Sequence, residues 1–152
     1  MKRMDIKTNP AAAHKTKFYT ARGANKSLVL VSRIVSDAVK EYNHLLEQQE
    51  LAEIAQLRGS DEYCGRLKQD MGKMFRRLQG YVCELEQLGV ELRDFERGQV
   101  DFPAIRNGRG IRLCWEMGQD SVSSWYEPDL GFSARRPISE LAHKPPLAVH
   151  TD

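Results

Sequence analysis

The chain has 152 residues, 41% hydrophobic and 29% charged, enough for one soluble domain with a sizeable core and too little for two independent enzymatic domains. Its 23 lysines and arginines against 21 aspartates and glutamates leave a formal net charge of +2. No apolar run approaches the roughly 20 residues a bilayer span needs, and no apolar stretch follows the basic N-terminus as in a secretory signal.

Cys64, Cys83 and Cys114 lie far apart and are odd in number, so a reduced, cytoplasmic protein is expected. Residues 1–17 are expected to form a disordered basic leader. Over residues 1–22, Lys2, Arg3, Lys7, Lys15, Lys17 and Arg22 stand against Asp5 alone, and such an arm is read as solvated rather than as a nucleic-acid contact.

A single domain is expected over 18–138, with a helical hairpin over 18–88 and a β unit over 89–136. Thr20 is suited to cap the first helix, although Gly23 stands where a capping box has Glu. From there Leu28, Val31, Val35, Ala38, Tyr42, Leu45, Gln49 and Ala52 follow unbroken 3-4 heptad spacing. Leu67, Met71, Met74, Leu78, Tyr81, Leu85 and Leu88 follow the complementary 4-3 spacing. Between the runs, Gly59 ends one helix and Ser60 or Asp61 caps the next.

The two runs mirror each other about Gly59. Ala52 is set against Leu67, Leu45 against Met74, Tyr42 against Leu78 and Val31 against Leu88. Helices over 24–57 and 61–88 are therefore expected to form an antiparallel hairpin. Val39 and Leu46, with Phe75 and Val82, make a second apolar stripe on one flank, which needs a cover. Gly65, Gly72 and Gly80 lie off the seam; they either admit another backbone or are tolerated defects.

After Gly89 the period changes to two, and a short antiparallel meander packed on the hairpin's flank is expected. Asn107-Gly108 is a strong hairpin turn. The reading pairs Met117 with Val122, Trp115 with Ser124 and Leu113 with Tyr126 on the inner face. It pairs Arg112 with Glu127, Cys114 with Trp125 and Glu116 with Ser123 on the outer one. The fold class is α+β. Residues 139–152 are expected to be a disordered tail.

Residues 90–136 hold seven cations, all arginine: Arg93, Arg97, Arg106, Arg109, Arg112, Arg135 and Arg136. A guanidinium suits carboxylate, phosphate and aromatic partners, and pairing with the segment's own acids is the expected outcome. The candidate ligand-binding set is Asp101, Arg112, Cys114, Glu116, Trp125, Arg135 and Arg136. Asp101, between Val100 and Phe102, needs a guanidinium, which Arg135 or Arg136 is placed to supply. The set is read first as an internal clasp and second as a pocket walled by Trp125. Cys114 lacks a visible base and is not read as a nucleophile. No catalytic residue, metal ligand or cofactor is expected: His14, His44, His143 and His150 have no metal-ligand spacing. Arg106-Asn107-Gly108-Arg109-Gly110 reads as a turn rather than a phosphate cradle.

Short motifs in order, Phe18-Tyr19-Thr20 with Ala24-Asn25, Gly89-Val90-Glu91-Leu92-Arg93-Asp94, Gly98-Gln99-Val100-Asp101-Phe102-Pro103, Leu113-Cys114-Trp115, and Gly131-Phe132 with Arg135 and Pro137-Ile138, resemble domain of unknown function 2203. The resemblance covers about residues 18–138 and implies a small bacterial protein of a family without established activity. It also implies Glu where Gln119 stands, His where Tyr126 stands, and acids in the first helical turn, where this chain has Arg22-Gly23. Loss of that Glu and His argues against hydrolysis. The expected function is non-catalytic self-association or partner binding, as a dimer. The alternative is a small anionic-ligand-binding or enzymatic domain sited on the arginine-rich β unit.

Overall fold

The structure, a computed structural model, describes residues 17–142. Most of the expected leader and tail lies outside these residues. Thr20 is extended and its Oγ1 accepts from the Gly23 amide at 2.9 Å, which starts α1 (Ala21–Leu57). A side chain at residue 23 would bring its Cβ within 3.2 Å of that oxygen, which accounts for the missing glutamate. α1 ends as the glycine predicts: Gly59 takes φ 73°, and Ser60 and Gly59 donate to the carbonyls of Ala55 and Gln56, a Schellman closure. α2 (Asp61–Gln87) starts after Ser60, whose side chain makes no capping bond; Asp61 and Glu62 occupy the first turn, where their negative charge complements the positive end of the helix dipole.

α1 and α2 pack as the antiparallel hairpin. Val31, Val35, Ala38, Tyr42, Leu45 and Ala52 are buried on α1, with Leu67, Met74, Leu78 and Leu85 on α2. Arg77 ties to Glu41 across the pair at 2.9 Å. Cβ atoms at Gly65 or Gly80 would meet nothing within 4 Å, so among the described residues no backbone of another element approaches them.

A second Schellman closure at Gly89 (φ 79°) leads into the sheet. β1 (Glu91–Asp94), β2 (Gln99–Arg106), β3 (Arg109–Glu116), β4 (Ser124–Tyr126) and β5 (Arg136–Pro137) form one antiparallel sheet in sequence order. Asn107 and Gly108, at φ 53° and 76°, make the two-residue turn between β2 and β3, as their identities predict. β5 was not visible as alternation, because two residues carry no period. After it, Ser139–Ala142 forms a helical turn, α3.

The β3–β4 register differs by one residue from the expected one. Cys114 pairs with Ser124, Leu113 with Trp125 and Arg112 with Tyr126. Val122 is pulled out of the ladder: its amide donates to Asn25 Oδ1 on α1 at 2.7 Å and its side chain is buried. The slip exchanges the faces of β4. Trp125 joins the core and Tyr126 turns outward, so the expected pairs of Arg112 with Glu127, Cys114 with Trp125 and Glu116 with Ser123 do not form.

One core joins Leu28, Val31, Val35, Tyr42, Leu45, Leu78 and Leu85 of the hairpin to Val100, Phe102, Leu113, Trp115 and Trp125 of the sheet. Tyr19 locks the chain's entry: its amide donates to Pro103 O at 2.7 Å and its hydroxyl to Leu88 O. Ala52, Ala55, Cys64 and Leu67 form a separate small cluster. The far end of the hairpin thus has its own packing, apart from the core shared with the sheet.

Candidate functional site

Alternation along β2 sends Val100 and Phe102 to the helices and Asp101 to the opposite face. Asp101 is 0% exposed there, beneath side chains from three other elements. Arg93 Nε on β1 donates to both carboxylate oxygens at 3.2 and 3.1 Å. Tyr126 Oη on β4 donates to Oδ2 at 2.5 Å. Arg93 Nη1 donates to Gln99 Oε1 at 3.0 Å, and Gln99 Nε2 donates to Glu116 Oε1 at 2.6 Å. Cys114 lies opposite Asp101 in the β2–β3 ladder.

Aromatic rings cover this polar row. The Arg93 Cζ lies 3.6 Å from the ring centroid of Phe132, on the 3-10 turn Phe132–Ala134, and Tyr126 meets the same ring edge-on at 5.8 Å. The Arg135 Cζ is 4.3 Å from that centroid. Guanidinium against an aromatic face is favourable, by about 0.5 to 2 kcal/mol.

The surroundings hold protons in place. Burial, and then the Asp101 charge, push the Cys114 thiol up from 9.0 to about 12. Burial and the hydrogen bond to Asp101 push the Tyr126 hydroxyl up as well. A thiol so raised is a poor nucleophile at neutral pH.

The expected partner of Asp101 needs correction. Neither Arg135 nor Arg136 reaches it; Arg93 does. β1 lies beside β2, so Glu91 and Arg93 lie on Asp101's face, whereas the C-terminal segment arrives only at β4. Arg136 lies 5.7 Å from the Trp125 ring centroid, with Arg106 at 5.0 Å, and reaches Glu140 at 3.8 Å. Arg112 pairs with Glu91 at 2.8 Å. Asp101, Cys114 and, through Gln99, Glu116 share one cluster, with Arg135 at its rim. Trp125 and Arg136 are not in it. Sequence reasoning missed Arg93, Tyr126, Gln99 and Phe132, though Arg93, Gln99 and Phe132 stand within the quoted motifs.

The expectation that the arginines pair with the segment's acids holds in part. Among the described residues Arg93, Arg112 and Arg136 do, the last with Glu140 just beyond the segment, while Arg97, Arg106, Arg109 and Arg135 have no ion pair. A shallow hollow of about 480 Å³ lies on α1 between Ser32, Arg33, Ser36 and Asp37, none of them in the cluster. His44 is exposed, and the other three histidines lie outside the described residues. Among the described residues no three of His, Cys, Asp and Glu gather as a metal site, and no helix is long and apolar enough to cross a membrane.

Residues 17–138 match the model of the family described as "Uncharacterized conserved protein (DUF2203)". No curated protein and no solved structure matches the chain. The chain belongs to the DUF2203 family.

Proposed function

We propose that this protein is a non-catalytic, self-associating module of the cytoplasm, in which the far end of the helical hairpin docks on a second copy of the chain. The observation that carries this is the division of charge along the hairpin. From Glu41 to Leu57, α1 holds Glu41, Glu47, Glu50 and Glu53 and no lysine or arginine. From Arg66 to Arg77, α2 holds Arg66, Lys68, Lys73, Arg76 and Arg77 against Asp70 alone.

Among the described residues, only Glu41 and Arg77 of these pair within the chain. A two-fold axis that sets α1 of one copy beside α2 of the other opposes the remaining charges twice over. The same end exposes Leu51, Ile54, Leu57 and Tyr63, with Leu57 88% exposed, apolar surface suited to the middle of such a contact. The bonds to both oxygens of Asp101 support a structural role for that carboxylate, as a clasp between strands.

Charge exchange tests the reading by sedimentation. Glu50→Lys with Glu53→Lys should shift the protein towards the monomer. Adding Lys68→Glu and Lys73→Glu should restore the dimer. A parent that sediments as a monomer, or a double reversal without effect on mass, refutes it.

A further inference from the structure

The charge balance around Phe132 is incomplete. Two guanidiniums, of Arg93 and Arg135, lie against one ring, while Asp101 is the single carboxylate paired with either. No other acid among the described residues forms an ion pair with either guanidinium. Glu91 is held by Arg112, Glu140 by Arg136, and Glu116 accepts from Gln99. Glu127 and Asp129, in the loop that carries Phe132, form no ion pair among the described residues. Arg93 Nη2 is buried and has no hydrogen-bond partner. A buried donor without an acceptor is costly and rare in folded proteins.

We infer that the outer face of the sheet is a binding site for a small oxyanion, a carboxylate or phosphate group, gripped by Arg93 Nη2 and the Arg135 guanidinium, with Phe132 as its lid. An oxyanion supplies both what Nη2 lacks and the counter-charge for Arg135. The lid is lightly held. Phe132 belongs to neither core cluster and rests on Tyr126 and the two arginines. Gly131 before it has φ 83°, a conformation open to glycine. The loop is fixed on both sides of the ring, by Gly131 N to Glu127 O at 3.1 Å and by Ile138 N to Ser123 O at 3.0 Å, so the ring can leave without unravelling β4. This site is independent of the hairpin contact proposed above.

Calorimetric titration with inorganic phosphate and, separately, acetate tests it on the full chain. Phe132→Ala should bind one of the two at least tenfold more tightly than the parent. Arg135→Gln added to Phe132→Ala should lose at least tenfold, while Arg109→Gln, an exposed arginine without an ion pair, should change nothing. The Arg93 guanidinium resonance should move only in proteins that bind. Preference for phosphate or for acetate identifies which group the site takes. No binding of either anion by Phe132→Ala, or equal losses from Arg135→Gln and Arg109→Gln, overturns the inference. Both substitutions fall at or near the surface, and an unchanged amide spectrum verifies the fold.

Discussion

Asp101 has a side chain 1% exposed and bonds to both of its oxygens. A hydrogen bond to a charged group contributes about 1.5 to 3 kcal/mol, so Tyr126→Phe should destabilise by about that much in urea unfolding. Asp101→Ala should cost about 3 kcal/mol or more, because it leaves Arg93 without its counter-charge; a loss smaller than that of Tyr126→Phe would contradict the clasp. Cys114 gives a pH signature. Its folded value lies above its unfolded one, so stability is whole below pH 9 and falls as pH rises from 9 to about 12. Tyr126 and Tyr19 act in the same direction from about pH 10. Cys114→Ala should flatten the alkaline loss, and a profile identical to the parent's would refute it. The need of Asp101 for a guanidinium was legible in its apolar neighbours Val100 and Phe102. The identity of the partner was not, since Arg93 is one of seven arginines and only strand adjacency selects it.

At the scale of elements, the hairpin was legible almost to the residue. The expected ranges 24–57 and 61–88 became Ala21–Leu57 and Asp61–Gln87, because heptad spacing records which face each residue buries. Leu45, 2% exposed, should not tolerate a charge: Leu45→Asp should abolish cooperative thermal unfolding followed by circular dichroism. His44→Asp, one position away and exposed, should change stability by about 0.5 kcal/mol or less. Equal melting of both variants and the parent would disprove the seam. The strands were legible as alternation, but β4 was misread by one residue. What fixes its register is the bond from Val122 to Asn25 on α1, a long-range partner that local alternation does not record.

At the scale of the whole molecule, the near-neutral charge of +2 conceals an acidic stretch of α1, from Glu41 to Leu57, lying beside a basic stretch of α2, from Arg66 to Arg77. Apart from Glu41 and Arg77, which pair across the hairpin, those charges have no ion pair among the described residues, and the proposed association of copies would engage them. Attraction of this kind is screened as the Debye length falls from about 10 Å at 0.1 M salt to about 3 Å at 1 M. The apolar residues Leu51, Ile54 and Leu57 add a contribution that salt does not weaken. Sedimentation equilibrium of the unmodified chain at low and high salt is the direct measurement. The proposal predicts a mass twice the chain's 17.4 kDa at low salt, with a dissociation constant that rises in high salt; a mass of 17.4 kDa at every concentration and salt would contradict it.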